Sequence, residues 1–173
     1  MPQATSDHTT PIQLALNRLL RIAENTGYQV EWVPGKNGCY CHWLRPPIIE
    51  LGRDLLLPQQ LVVLAHELGH ARDYILNFPQ PDELLLLAHF WENYRLGDFY
   101  YSREQQAWVH AKEILHDLGI WPVIQPEFDA FKEQSLGPHY QKLLAAKEKG
   151  QDKPNESDYF EAWCDMIERI RTS

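Results

Sequence analysis

The sequence predicts an α+β fold, with a small three-stranded sheet near the N-terminus and a mainly helical remainder. Extended apolar runs are short and confined to residues 28–51. From Pro58 onward, apolar residues recur at the spacing of helices. At 173 residues the chain is long enough for one domain with a substantial core. We expect that domain to span residues 11–173, behind a mobile polar tail at residues 1–10.

One helix and three strands are predicted in the N-terminal part. Pro11 suits the first position of a helix, and the helical pattern that follows it ends at residues 25–27. Extended runs then occupy residues 28–33, 39–44 and 48–51. The turn residues between the first two runs favour a hairpin that joins them.

The rest of the chain is predicted to be helical. A broad apolar face runs from Pro58 to Tyr74, and Pro79 interrupts the pattern. A later helix is expected to be capped by Ser102 and ended by Gly119. The predicted helices after the first interruption cover residues 83–94, 102–118, 127–134, 139–149 and 158–171. Those beyond about residue 120 are interpreted as a C-terminal helical extension.

Composition and charge narrow the class of protein. Hydrophobic residues make up 44% of the chain and charged residues 23%, which is ordinary for a globular protein. The net charge of −8 and the lack of a basic patch argue against nucleic-acid binding. No apolar run has the length of a membrane span, and the first ten residues lack the apolar segment of a signal peptide. We therefore expect a cytoplasmic protein with no nucleic-acid or membrane partner.

The most informative motif is His66-Glu67-Leu68-Gly69-His70. Residues four apart on a helix share one face, so His66 and His70 can hold one zinc ion between them. Glu67 lies beside that face and can act as a general base on a water without being a ligand. Gly69 costs about 1 kcal/mol of helix propensity relative to Ala, which favours the close approach of another backbone or a substrate at this position.

Glu104 is the predicted third ligand, because a catalytic zinc site usually has three protein ligands. Glu104, Ala107 and Ala111 form a single stripe along a downstream helix. The two small residues would let that helix lie close against the histidine helix, which brings the carboxylate to the metal. A solvated carboxylate at Glu104 is the alternative.

The two motifs together resemble the ImmA/IrrE metallopeptidases, over about residues 28–115. The matching positions are His66, Glu67, His70, Glu104, Ala107, Ala111, Ile114 and Leu115. The resemblance implies a zincin-like core with a gluzincin-type zinc site. It also implies a protein substrate that is a regulatory protein such as a transcriptional repressor, often cleaved in response to stress.

Two alternative functions remain open at the level of sequence. His89 could be the third ligand, which would make the site similar to that of SprT-type proteases, although a lone histidine on an apolar helix is more often part of the core. The chain could also be a non-catalytic metal-binding adaptor or inhibitor. Glu67 argues against that second alternative, because a structural zinc site needs no general base.

Several further residues have two interpretations. Asp73 could accept the free ring N–H of His70, or it could lie at a polar edge. Residues that could stabilise the oxyanion of a peptidase are Tyr100, Tyr101, His139 and Tyr140. Trp108 and the other tryptophans fall at helical spacing and are interpreted as core residues.

Overall fold

A computed structural model of the chain describes residues 10–35, 38–41, 46–77 and 97–148. These residues form four helices and a small sheet, so the expected mixture of strands and helices, with helix predominating, is confirmed. The elements are α1 (Pro11–Asn25), β1 (Gln29–Val33), β2 (Gly38–Cys41), β3 (Ile48–Gly52), α2 (Leu57–Asn77), α3 (Gly97–Asp117) and α4 (Trp121–Glu148). The predicted helices at 83–94 and 158–171, the tail at 1–9 and His89 lie outside the described residues.

The strands are arranged in the order β1-β3-β2. Strand β3 pairs in parallel with β1, from Gln29 opposite Ile48 to Val33 opposite Gly52. It pairs antiparallel with β2, from Gly38 opposite Leu51 to Cys41 opposite Ile48. The predicted hairpin between the first two strands is therefore wrong, because β3 lies between them.

Contacts between the two turns explain this order. Gly35, which follows β1 with a φ of 70°, donates its N–H to Asp54 beyond β3 at 3.0 Å. Arg53 donates its backbone N–H to the Val33 carbonyl at 3.0 Å. These bonds hold the ends of β1 and β3 side by side. Strand β3 also carries two fully buried residues, Ile49 and Leu51, whereas β1 has none, which suits the central position of β3.

Helix α2 lies at the centre of the molecule and contacts α1, the sheet, α3 and α4. Every residue from 61 to 69 is buried, which matches its broad apolar face. Helix α1 packs against α2 through a stripe that contains Leu16 and Leu19. Its first turn is capped by the Thr10 hydroxyl, which accepts the N–H of Gln13 at 3.2 Å. A buried central helix of this kind is a rigid support for the histidine motif that it carries.

Helices α3 and α4 differ from the prediction at their boundaries. Helix α3 begins at Gly97, so the predicted cap at Ser102 is wrong, whereas Gly119 follows the helix with a φ of 69° as expected of a terminating glycine. Helix α4 is continuous where two separate helices were predicted. Each of its internal prolines, Pro126 and Pro138, removes one backbone hydrogen bond. The buried side chains beside Pro126, which include Phe128, hold the helix against the core across that gap.

Within the ranges given above, none of the helices combines the length and the apolar character that crossing a membrane requires. The core instead collects around α2 and includes residues from α1, β3, α3 and α4. In the part of the chain that the structure describes, five polar or charged residues are buried near or within it, namely His66, Glu67, Asp73, Glu104 and His110. Four of these five belong to the two predicted motifs or their flanks, which directs attention to the contact between α2 and α3.

Candidate metal centre

His66 and His70 project from one face of α2, as their spacing predicts. Their ring centroids are 4.5 Å apart, with the rings nearly perpendicular at 72°. The two Nε2 atoms are 3.1 Å apart. His66 is buried, and the His70 side chain retains 20% of its exposure. Both rings therefore direct their Nε2 atoms to one point, and the His70 ring is the more exposed of the two.

The carboxylate of Glu104, on α3, completes this group. Its Oε2 lies 3.4 Å from Nε2 of His66, and its Oε1 lies 3.5 Å from Nε2 of His70. One possible ligand atom from each of the three residues lies within 4.8 Å of the others. These three side chains could hold a metal ion. The predicted stripe of Glu104 is thus turned toward the histidines rather than toward solvent.

Comparison with protein-family models, curated proteins and solved structures gives no match for this chain. Function is therefore inferred from the motifs and from the geometry around the three side chains. That geometry has four parts: the packing of α2 on α3, the environment of Glu67, the ionisation of the group, and the residues that surround it.

The helices that carry these three side chains touch through their backbones. A Cβ at Gly69 would overlap the carbonyl oxygen of Ala107 and would lie 3.2 Å from the amide nitrogen of Ala111. Ala107 and Ala111 are both fully buried. The small residues at these three positions allow the close packing of the two helices that the sequence predicted. Glu104 lies one turn before Ala107, so this packing brings its carboxylate to the histidines.

Glu67 is buried beside the group, and it is not one of the three residues whose atoms converge. Its carboxylate lies against the start of β2, where a Cβ at Gly38 would be 2.7 Å from Oε1. That same Cβ would also overlap Val63. Burial raises the pKa of the Glu67 carboxyl to about 7, although the charge of His70 acts in the opposite direction. A carboxyl with such a pKa can both take and release a proton near neutral pH.

The three converging groups shift one another's ionisation. Burial lowers the pKa of His66 to about 4, so its ring is neutral at pH 7. Burial also acts to raise the pKa of Glu104, but its hydrogen bonds to the two histidines outweigh burial and hold that pKa well below the usual range. Burial acts to lower the pKa of His70, but the bond to Glu104 and the charge of that carboxylate leave it raised. A neutral imidazole and an ionised carboxylate are the forms that bind metals.

Asp73 forms an ion pair next to the ligands. Its Oδ2 lies 2.8 Å from Nη2 of Arg103, the residue that precedes Glu104, and only 3% of the Asp73 side chain is exposed. The charge of Asp73 also acts to raise the pKa of His70. The pair joins α2 to α3 on the side of Glu104, a contact that neither interpretation of Asp73 included.

Trp108 contacts the first histidine directly, which the sequence interpretation missed. Its indole stacks on the His66 ring at a centroid distance of 4.1 Å and an angle of 23°. Trp108 is also a core residue, as predicted, with 2% of its surface exposed. The spacing of four between Glu104 and Trp108 puts both on one face of α3, and that spacing was the available signal.

The remaining candidates lie at different distances from the group. His139 on α4 is within electrostatic range, since its charge acts to lower the pKa of His66. Tyr101 and Tyr140 face each other at 5.5 Å across a groove of about 350 Å³ between α3 and α4. The side chain of Tyr100 lies outside the described part of the structure. His110 contacts Glu113 through Nδ1 at 3.3 Å and is not among the three converging residues.

Proposed function

We propose that this chain is a zinc-dependent peptidase of the gluzincin type, with His66, His70 and Glu104 as ligands and Glu67 as general base. The observation that carries the proposal is a buried carboxyl, that of Glu67, on the same helix as the histidines and beside three converging ligand atoms, to which it does not itself belong. A structural metal site has no use for such a group. The arrangement supports hydrolysis, in which a base must act next to the metal.

The donor set and its spacing suit zinc. Two imidazoles and one carboxylate are a common ligand set of catalytic zinc. Ligands about 2.0–2.1 Å from a tetrahedral ion are about 3.3–3.4 Å apart. The two Nε2 atoms are 3.1 Å apart, and each lies 3.4 or 3.5 Å from a different oxygen of Glu104, so each pair taken separately is close to that value. Three protein ligands leave a fourth position for water or substrate.

Each residue of the site would have a separate role in the reaction. A zinc ion held by the three ligands would acidify a water and polarise the carbonyl of a peptide bond. Glu67 would take a proton from the attacking water and deliver it to the leaving amine. Its position beside the ligands, without being one of them, suits both transfers. His66 and His70 would serve as neutral ligands.

A protein substrate follows from the resemblance to the ImmA/IrrE metallopeptidases, and we propose selective cleavage of a regulatory protein such as a transcriptional repressor in the cytoplasm. The net charge of −8 supports contact with a protein rather than with nucleic acid. Selectivity predicts that casein, an unfolded generic substrate, stays intact when incubated with the zinc-loaded chain. Rapid digestion of casein would contradict a dedicated target.

Metal content tests the ligands. The purified chain should carry about one zinc, and alanine at His66, His70 or Glu104 should each lower that content. Glu113→Ala is the matched control, since it removes an exposed carboxylate from the same helix. If Glu104→Ala kept its zinc while His89→Ala lost it, the ligand set would be that of the SprT-type alternative.

Glu67→Gln tests the base. The variant keeps the volume of the side chain but removes the group that takes the proton. Zinc content should be unchanged, and cleavage should fall by about 10²–10⁴-fold. Both proteins can be incubated with a cytoplasmic extract whose new peptide termini are counted by mass spectrometry. Equal numbers of termini from the two proteins would leave an adaptor role as the better explanation of the site.

A further inference from the structure

The two ring nitrogens of His66 have different surroundings. Nε2 points at His70 and Glu104, whereas Nδ1 is buried and has no hydrogen-bond partner among the described residues. A metal-binding histidine usually donates its second ring N–H to a carboxylate, a carbonyl or a water, and that bond orients the ring. Some other contact must therefore set the orientation of His66.

The indole of Trp108 stacks on the face of this ring. The two ring planes are 23° apart with centroids at 4.1 Å, whereas the His70 ring meets His66 nearly edge-on at 72°. Trp108 is itself held in place by Phe128 of α4, at 5.1 Å and 85°. Its own Nε1 is buried and has no hydrogen-bond partner among the described residues. Contact between ring faces is thus what joins the two side chains.

We propose that Trp108 is a positioning residue for the ligand His66, with the face of the indole fixing the plane of the imidazole. This inference rests on the proposed metal site. The torsion that turns a histidine ring has broad minima, so a packed face restricts it where no hydrogen bond does. An imidazole bound to a cation also carries positive charge, which the face of an indole attracts.

Stacking on Trp108 fixes the plane of the His66 ring but not which of its two edges faces the proposed metal. Two ring orientations that differ by a half turn share the same plane, so the indole contacts both equally. Glu104 and His70 select between them, because they lie on the side to which Nε2 must point. Helix α3 therefore acts on His66 twice, through Trp108 on the ring face and through Glu104 on the ring edge.

Zinc affinity measured against a chromophoric chelator tests the role of Trp108. Trp108→Leu removes the aromatic face and should weaken affinity by about 10–100-fold, the usual effect of removing a residue that orients a ligand. Trp108→Phe keeps a face and should lose less than about tenfold. Leu115→Ala is the control for damage to the core, because Leu115 is fully buried two turns further along the same helix. It should lower stability and leave affinity unchanged.

The absorption spectrum of the cobalt-substituted protein adds a readout that loss of packing alone would not move. The bands of Trp108→Phe should match those of the parent, and the bands of Trp108→Leu should shift because His66 meets the ion at a different angle. A parent-like affinity and spectrum for Trp108→Leu would overturn the inference while leaving the metal site intact. A parent protein that binds neither zinc nor cobalt would instead refute the proposed metal site.

Nuclear magnetic resonance of the zinc-loaded parent keeps the inference testable if Trp108→Leu does not fold. The carbon-bound protons of the His66 ring should be shifted upfield by the indole, and the shift should fall in Trp108→Phe. The Nδ1 proton should lack the downfield shift of a hydrogen-bonded N–H. A strongly downfield Nδ1 proton would show that a hydrogen bond orients the ring, which overturns the role of Trp108.

Discussion

Helix α2 meets neighbouring backbone at two glycines, and the atoms opposite them differ. At Gly69, in α2, the backbone of Ala107 and Ala111 lies opposite. At Gly38, in β2, the side chains of Val63 and Glu67 lie opposite. Backbone held in a buried helix cannot move aside, whereas a side chain can change rotamer. The first contact thus fixes the distance between the ligand helices, and the second limits only where the carboxylate of Glu67 can lie.

Gly69→Ala should disrupt the backbone contact between α2 and α3, and it has the largest expected effect on stability. The methyl would gain about 1 kcal/mol of helix propensity. Overlap with the Ala107 carbonyl in a packed interface should exceed that gain, for a net loss of about 3 kcal/mol or more in the free energy of unfolding. Urea denaturation measures the loss, and zinc affinity should fall with it. A variant as stable as the parent would mean that α2 and α3 can separate without cost.

The ionisation of Glu67 should make the free energy of unfolding depend on pH. The folded-state pKa of Glu67 is raised to about 7 from 4.5, so its ionisation opposes folding. Stability is lost as pH rises from about 4.5 to about 7, because the unfolded chain ionises first. In metal-free protein, Glu67→Gln should therefore add up to about 3 kcal/mol at pH 8 and little at pH 4.

Urea denaturation of both proteins in the presence of a chelator, at pH 4 and at pH 8, measures this difference. The ionisation of His66, His70 and Glu104 also changes over this range, so each comparison is made between parent and variant at one pH. A stability difference of equal size at both values would assign it to packing and not to the charge of Glu67.

Gly38→Ala should lower stability less than Gly69→Ala does. It should reduce cleavage without changing zinc content. Glu67 can rotate away from the methyl, but Val63 is β-branched and has one strongly preferred rotamer in a helix, so β2 must move slightly, at a cost of about 1–3 kcal/mol. Zinc content should be unchanged, because neither side chain is an assigned ligand. Cleavage should fall by about 10²-fold, since a displaced base is poorly aligned. In a Glu67→Gln background the same substitution should cause no further loss of cleavage. A loss of zinc would show that β2 also supports the ligands.

Gly137→Ala is the matched control and has the smallest expected effect. It lies within α4, where a new Cβ would meet nothing within 4 Å. Alanine gains about 0.5–1 kcal/mol of helix propensity, but its Cβ precedes Pro138, whose ring disfavours a helical residue with a side chain before it, so the net change should stay within about 1 kcal/mol of zero. Thermal unfolding of this variant shows the effect of replacing a helical glycine that has no neighbour from another part of the fold. A variant destabilised as much as Gly69→Ala would mean that contact with another element does not explain the loss at Gly69.

The helical spacing in the sequence predicted the convergence of the two motifs. It placed His66 and His70 on one face, and the stripe of Glu104, Ala107 and Ala111 against them, because both relations are set by the period of a single helix. The contact made by Gly69 was predicted for the same reason, since an internal helical glycine has a cost that close packing explains.

Relations between elements were harder to predict. Turn residues at 34–38 indicate that the chain reverses, but they do not say which strand becomes the neighbour, so the insertion of β3 was missed. The stack of Trp108 on His66 and the clearance at Gly38 were missed likewise, because each joins two separate elements. Two helices were also predicted at 127–134 and 139–149, where α4 is a single helix whose apolar side chains pack on the core.

The contact at Gly69 should affect the stability of the site more than the length of the chain between the two motifs does. Thirty-three residues separate His70 from Glu104. Doubling or halving a flexible connection changes the entropy of loop closure by only about 0.6 kcal/mol. The clash expected at Gly69 is several times larger. A search for other sites built in this way should therefore allow any interval between the motifs, and should instead require a glycine between the histidines and small residues three and seven positions after the glutamate.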